Sequence, residues 1–365
     1  HHQLRSDGPH PVEGSAHLSE RGRGVNWKKG FATAGTAVGI GAGLVFQHST
    51  VARRRRNDPE GNEVFGSRRG VRSRKLALDD GAQLFLEEAG PIAGRGAVFV
   101  HSSAMRTDVW HYQMPGIGGH RLVFYDLRGH GLSHPKGTAP FTIKQLAQDL
   151  LAVMDDAELQ EAVIVGHSIG GMIALELCKE QPELMGSRIK GLVLANTTYR
   201  PAAESLGIGG AAVSRLERLT RRPFDVLGSQ SAPIDRLRGV LPPSDLFFMA
   251  VSLATFGPSA SAGQIDLIYD MMSETGSDIL FDLIKSYRHF DVRDFLGQVT
   301  VPALVIAGTH DRLTMPANSV HLAEHMPVAE LRLLEGCGHM SMLERHAEFN
   351  SMLAAFLDDT LGRIA

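Results

Sequence analysis

Ala162-Val163-Ile164-Val165-Gly166-His167-Ser168-Ile169-Gly170-Gly171 is the stretch on which the reading of this chain turns. Its first four residues are a short apolar run, the texture of a strand buried on both faces. From Met172 to Cys178 the apolar residues return at helical spacing. Between the two lies G-x-S-x-G, which gains meaning in this strand–turn–helix setting. The glycines at 166 and 170 let neighbouring backbone pass close to a strained Ser168. Its hydroxyl then stands at the C-terminal edge of a sheet, over a helix N-terminus. The Ile169 N–H points to where an oxyanion would form.

A serine hydroxyl is a poor nucleophile without a base, and the base needs an orienting acid. Two later segments supply both. The run Ala303-Leu304-Val305-Ile306 ends in Gly308-Thr309-His310-Asp311. The stretch Glu330–Leu334 leads through Glu335-Gly336-Cys337-Gly338 to His339. Each reads as a strand whose following loop faces the same edge as Ser168. The order Ser168, Asp311, His339 therefore assigns nucleophile, acid and base.

Further apolar runs lie at Ala97–Val100, Leu122–Tyr125 and Leu192–Leu194. Helical patterns separate them: Ile143, Leu146, Leu150 and Val153 share one face, and Phe349 to Leu361 is similar. Strands alternating with helices predict an α/β fold with a mostly parallel central sheet flanked by helices. Residues 75–196 and 299–365 form this core. About 100 residues between two core strands exceed a simple crossover, so residues 197–298 read as an inserted helical cap. Its apolar residues (Leu246 to Met249, Phe256, Tyr269, Met271, Met272 and Phe281) either pack the cap onto the core or line a pocket beneath it.

With these residues in place, the chain resembles the α/β-hydrolase family over roughly residues 75–362. The segment Tyr125-Asp126-Leu127-Arg128-Gly129-His130-Gly131-Leu132-Ser133 is similar to the family's D-x-R-G-x-G-x-S stretch after its fourth strand. His101 through Trp110 is similar to the segment after the third. The resemblance implies a second oxyanion donor there, by position the N–H of Ser103. The family usually has His-Gly where this chain has His101-Ser102-Ser103. A basic, Gly/Ala-rich run ahead of the body also resembles membrane-anchored hydrolases of actinobacteria.

Residues 1–75 carry 14 Lys/Arg against 6 Asp/Glu, whereas the other 290 carry 23 against 34. A basic front end precedes an acidic body. Residues 1–29 read as a disordered basic tail. From Gly30 to Ala52 there is no Asp, Glu, Lys or Arg. As a helix, those 23 residues would reach about 34 Å, enough for a hydrocarbon core of about 30 Å. The run thus reads as a transmembrane helix, the alternative being a flexible Gly/Ala linker. Arg53 to Arg56 favour a cytoplasmic body by the positive-inside rule, with Lys28 and Lys29 opposing. Gly35, Gly39 and Gly43 would form one face for helix pairing. Residues 53–74 read as a linker.

The formal charge of −3 leaves no nucleic-acid footprint. Cys178 and Cys337 are too few for a disulfide framework or zinc ribbon. No metal site is expected: His321 and His325 fall on one helix face without a third ligand. His167, His101, His130 and His310 read as structural, as do Asp126, Arg128 and Arg312. The expectation is a cofactor-free serine hydrolase acting on a small-molecule carboxylic ester. A perhydrolase or haloperoxidase, a carbon–carbon bond hydrolase and an acyltransferase remain alternatives. So does a membrane-tethered scaffold, since fold does not imply function.

Overall fold

The computed structural model describes residues 48–201, 204 and 244–363. Its centre is one eight-stranded sheet. The strands are β1 (Arg72–Ala77), β2 (Gln83–Ala89), β3 (Arg95–Val100), β4 (Leu122–Tyr125), β5 (Glu161–His167), β6 (Ile189–Ala195), β7 (Ala303–Gly308) and β8 (Ala329–Leu334). They lie in the order β1-β2-β4-β3-β5-β6-β7-β8. The β1·β2 and β2·β4 pairs are antiparallel and every other pair is parallel. Composition follows position. The interior strands β4 and β7 are buried along their whole length, whereas the edge strand β1 alternates between half-buried and exposed residues.

Strand order reverses between β3 and β5, the switch point at which an open parallel sheet leaves a crevice at its C-terminal edge. Helices cover both faces. The first described helical segment, α1, spans residues 48–56. Next come α2 (Ile143–Asp156) and α3 (Ile169–Glu180). The insertion between β6 and β7 contributes α4 (Asp245–Thr255), α5 (Ala262–Glu274) and α6 (Ser277–Tyr287). After β7 come α7 (Pro316–His325) and α8 (His346–Leu361). In α2 the Thr142 side chain caps the first turn by accepting from the Gln145 N–H, and the expected Ile143, Leu146, Leu150 and Val153 face is buried. Within the segment expected to form a cap, residues 205–243 lie outside the described residues.

The membrane reading is corrected here. Among the described residues no helix is long and apolar enough to cross a membrane. Residues 48–52, the end of the uncharged run, belong instead to α1, which continues through the arginine cluster. Val51 is buried in the core. Arg54 donates to the Ser252 hydroxyl and the Ala260 carbonyl, both at 2.8 Å. Arg55 pairs with Asp266 at 2.8 Å and lies over the Phe248 ring. This end of the run is therefore docked on the inserted helices. The run was also weak as a span, being rich in Gly, Ala and Thr. Residues 1–47, including the expected tail and the glycine face, lie outside the described residues.

Residues 57–71, read as part of a linker, are held along their length. Asp58 accepts from the Gly263 N–H at 2.8 Å. Glu60 accepts from the Tyr112 hydroxyl and from Gln264 Nε2, each at 2.8 Å. Glu63 meets His111 Nε2 at 2.8 Å, and Arg69 pairs with Asp108. This strap joins α5 to the segment that follows β3.

The loop after β4 is organised by buried polar groups. Asp126 accepts from the Thr107 N–H at 2.7 Å and the Leu132 N–H at 2.8 Å. Arg128, fully buried, makes a two-pronged pair with Asp149 at 2.5 and 2.6 Å and reaches Asp80 at 2.8 Å. Both residues carry the structural roles expected of them.

Candidate active site

Ser168 sits between β5 and α3 with φ 54° and ψ −116°. A left-handed φ on a residue with a Cβ is strained, at a cost of about 1–3 kcal/mol, and persists only where the surroundings enforce it. Here they do. Its N–H donates to the Ala195 carbonyl at 3.0 Å, and its carbonyl accepts from Thr197 Oγ1 at 2.6 Å. The flanking glycines leave no room for side chains. A Cβ on Gly170 would collide with the Val100 carbonyl, and one on Gly171 would stand 2.7 Å from the Thr197 side chain. α3 then begins at Ile169, so its first N–H groups lie directly after the serine.

Asp311 and His339 come together across the ends of β7 and β8. Asp311 Oδ2 lies 2.9 Å from His339 Nδ1. The same oxygen accepts from Thr314 Oγ1 at 2.7 Å and Asn196 Nδ2 at 2.9 Å. Its other oxygen accepts from the N–H groups of Leu313 and Thr314, both at 2.9 Å. Burial pushes this carboxyl upward. The His339 ring and the Thr314 donors outweigh it and hold Asp311 well below the ordinary carboxylate range. An ionised Asp311 accepts from Nδ1–H of the imidazole, which leaves Nε2 as the basic nitrogen.

The histidine turn needs its glycines. Gly336 has φ 72°, and a Cβ on Gly338 would press into the backbone of Phe256 and Gly257. The His339 N–H donates to the Thr255 carbonyl at 2.7 Å, which ties the base to the end of α4. Glu344 joins the same junction, accepting from the N–H groups of Gly257 at 2.7 Å and Gly338 at 3.0 Å.

Ser168, Ile169, Ser103 and His339 all line one cavity of about 310 Å³. It lies between the C-terminal edge of the sheet and the inserted helices. Its described lining is dominated by Met105, Met172, Met272, Leu280, Ile284 and Leu313. Ser103 also shares a side-chain hydrogen bond with Tyr287 of α6.

Other expectations sort themselves by contact. His167 Nε2–H donates to the His339 carbonyl, 2.9 Å away, and burial first and the neighbouring imidazole second push it well below its ordinary value. It is a packing residue. His101 Nε2 accepts from the Leu127 N–H at 2.9 Å, and burial lowers it to about 3. Cys337 is buried, and burial raises its thiol. Of the apolar insertion residues singled out, Met272 lines the cavity, whereas Phe248, Phe256 and Met271 are buried as packing. Asn196, Thr197, Thr314 and Tyr287 were not foreseen. The one sequence signal was an asparagine directly after a strand, a residue that tolerates left-handed backbone.

A strained serine on a strand–helix elbow, with an aspartate-held histidine beside the same apolar cavity, is the arrangement of an α/β hydrolase. The family comparison agrees. The model of the alpha/beta hydrolase fold matches residues 98–346, and the chain belongs to the α/β-hydrolase family. A putative carbamate hydrolase RutD of Variovorax paradoxus is 26% identical over 276 residues, covering 75% of this chain and 96% of that protein. A non-heme chloroperoxidase of Streptomyces lividans is 28% identical over 287 residues, covering 77% and 98%. Among solved structures, the enol-lactonase from Burkholderia xenovorans LB400 aligns with a TM-score of 0.62 at 25% identity, covering 78% of this chain and 99% of that one.

Proposed function

We propose that this enzyme hydrolyses neutral carboxylic esters with small or medium apolar acyl groups, through an acyl-enzyme on Ser168. The observation that carries the reading is the 2.9 Å Asp311–His339 pair opening, with Ser168, onto one apolar cavity. In this mechanism His339 Nε2 takes the hydroxyl proton as Ser168 Oγ attacks the carbonyl carbon. Asp311 keeps the Nδ1–H tautomer and stabilises the imidazolium. The N–H groups of Ile169 and Ser103 receive the oxyanion. The tetrahedral centre collapses, His339 returns the proton to the leaving alkoxide, and the alcohol departs. Water, deprotonated by His339, then releases the carboxylic acid. The inserted helices act as a cap that supplies the far wall of the acyl pocket. Its volume lies at the small end of ligand sites, about 300–1,000 Å³, which supports short and medium chains.

The chloroperoxidase relative favours one second reading: hydrogen peroxide in place of water, giving a peracid from the same acyl-enzyme. One experiment addresses both. The full chain and Ser168→Ala are assayed on p-nitrophenyl esters of graded acyl length, with and without peroxide, and labelled with a fluorophosphonate. The expected result is an optimum at short or medium chains, peroxide-independent turnover and labelling of the parent alone. Ester turnover by Ser168→Ala at the parent rate would end the proposal. Peracid formation outrunning hydrolysis would move it to the second reading.

A further inference from the structure

The tripeptide Ala195-Asn196-Thr197, at the end of β6, bonds to Ser168, to Asp311 and to the turn that carries His339. Ala195 receives the Ser168 N–H, and Thr197 Oγ1 donates to the Ser168 carbonyl. Asn196 serves the other two. Its Nδ2 donates to Asp311 Oδ2 at 2.9 Å and to the Gly338 carbonyl at 3.1 Å, one residue before His339. Its Oδ1 accepts from Ser341 Oγ at 2.5 Å, two residues after His339. The side chain is wholly buried and every hydrogen-bonding atom of it has a protein partner on one of these loops. Its backbone takes φ 46°, a left-handed conformation. Asparagine takes that conformation more readily than most residues, and here its amide also bridges two loops, which points to a selected contact.

We propose that Asn196 is a positioning residue, aligning the acid with the base by holding Asp311 Oδ2 and both sides of the His339 turn; this rests on the serine-hydrolase reading. The choice of a carboxamide matters. Oδ2 already accepts from His339 Nδ1 and Thr314 Oγ1, so its third neighbour must be a donor without negative charge. A carboxyl at 196 would meet Asp311 as a pair that cannot both ionise, so the two would share a proton and Asp311 would no longer carry its charge alone. The other groups against His339 are His167 from β5 and Thr314 from the loop after β7, while Cys337 and Glu344 bond to the neighbouring Gly338.

The test uses the full chain, the His339 signal being assigned with His339→Gln. In the parent the His339 Nδ1–H proton, held against Asp311 Oδ2, is expected as a sharp downfield proton signal, and Asn196→Gly is expected to shift and broaden it. Asn196→Gly removes the side chain but suits the left-handed backbone, so it keeps the fold while losing the bridge. Normalised to sites labelled by fluorophosphonate, it is expected to lower kcat about ten- to a hundred-fold with KM little changed, the worth of a hydrogen bond to a charged group. A His339 Nδ1–H signal in Asn196→Gly as sharp as the parent's and at the same position, or a per-site kcat within about twofold of the parent, overturns the proposal. The Nδ1–H signal needs no substrate. Absence of both labelling and ester turnover in the parent would therefore count against the hydrolase reading, while that signal would still decide the role of Asn196.

Discussion

Replacing Arg128 by methionine tests how far the polar core beside the site is held by charge. The guanidinium is fully buried and makes two bonds to Asp149, one to Asp80 at 2.8 Å and one to the Lys136 carbonyl at 3.2 Å. Arg128→Met fills similar space but leaves Asp149 buried with one donor from a side chain, Gln145 Nε2 at 3.2 Å. Breaking such a pair from one side costs about 3–5 kcal/mol. For a folded body of about 300 residues each kcal/mol is worth about 1.5 °C, so the melting temperature should fall by about 5–8 °C. Adding Asp149→Leu removes the stranded carboxylate and should restore most of the loss, whereas Asp149→Leu alone leaves Arg128 with Asp80 and the Lys136 carbonyl and should cost less than Arg128→Met. Urea unfolding of all four proteins gives the coupling as a double-mutant cycle. Single variants that each cost less than about 1 kcal/mol, or a double variant as unstable as the sum of the singles, would refute the buried-pair argument.

Gly170→Ala would drive a methyl group into the Val100 carbonyl, so fluorophosphonate labelling should slow by more than tenfold and urea unfolding should show a loss of at least about 2 kcal/mol; labelling at the parent rate would contradict the close approach. Asp80 gives an acid-stability test. Burial pushes its carboxyl up, but the Ala139 N–H, Arg128 and the Ala82 N–H bring it down to about 2 from 3.8. A depressed carboxylate stabilises the fold above its unfolded value and loses that effect as pH falls toward its folded one. Asp80→Asn should therefore be less stable than the parent by about 2 kcal/mol at pH 7, with the gap closing between about pH 4 and pH 2; a gap that stays constant with pH would contradict this. Glu60→Leu leaves the Tyr112 hydroxyl and Gln264 amide without their acceptor, so the strap should loosen, with a stability loss of about 1–3 kcal/mol and faster thermolysin cleavage within residues 48–71.

The sheet and the elbow were legible because their signals are local. Ala162–Val165 is an apolar run beside its own turn, and the glycines at 166 and 170 sit within four residues of Ser168. The meeting of Asp311 and His339 followed from the loops in which they stand. What escaped was whatever depends on partners distant in the chain. Asn196 meets Asp311 across 115 positions, and its sequence context shows neither the bridge nor the strain. The strap and the arginines of α1 failed to register for the same reason: Arg54, Arg55 and Glu60 look like a solvated linker until Ser252, Asp266 and Gln264, about two hundred residues on, supply their partners. The uncharged run before it misled in the opposite direction. Length and flanking charge suggested a span, yet Val51 is buried in protein.

The junction between α4 and the histidine turn constrains how any opening of the insertion can work. The His339 amide, the Gly338 amide and the Gly257 amide are all committed there, to Thr255 and Glu344. The C-terminal end of α4 is thus a fixed post shared by the roof and the base. A gate that swings away from this post, carrying α5 and α6, admits a substrate while the imidazole stays aligned. A gate that takes the post with it switches the base off for as long as the door is open. In the first case entry and chemistry are separate clocks; in the second they are one.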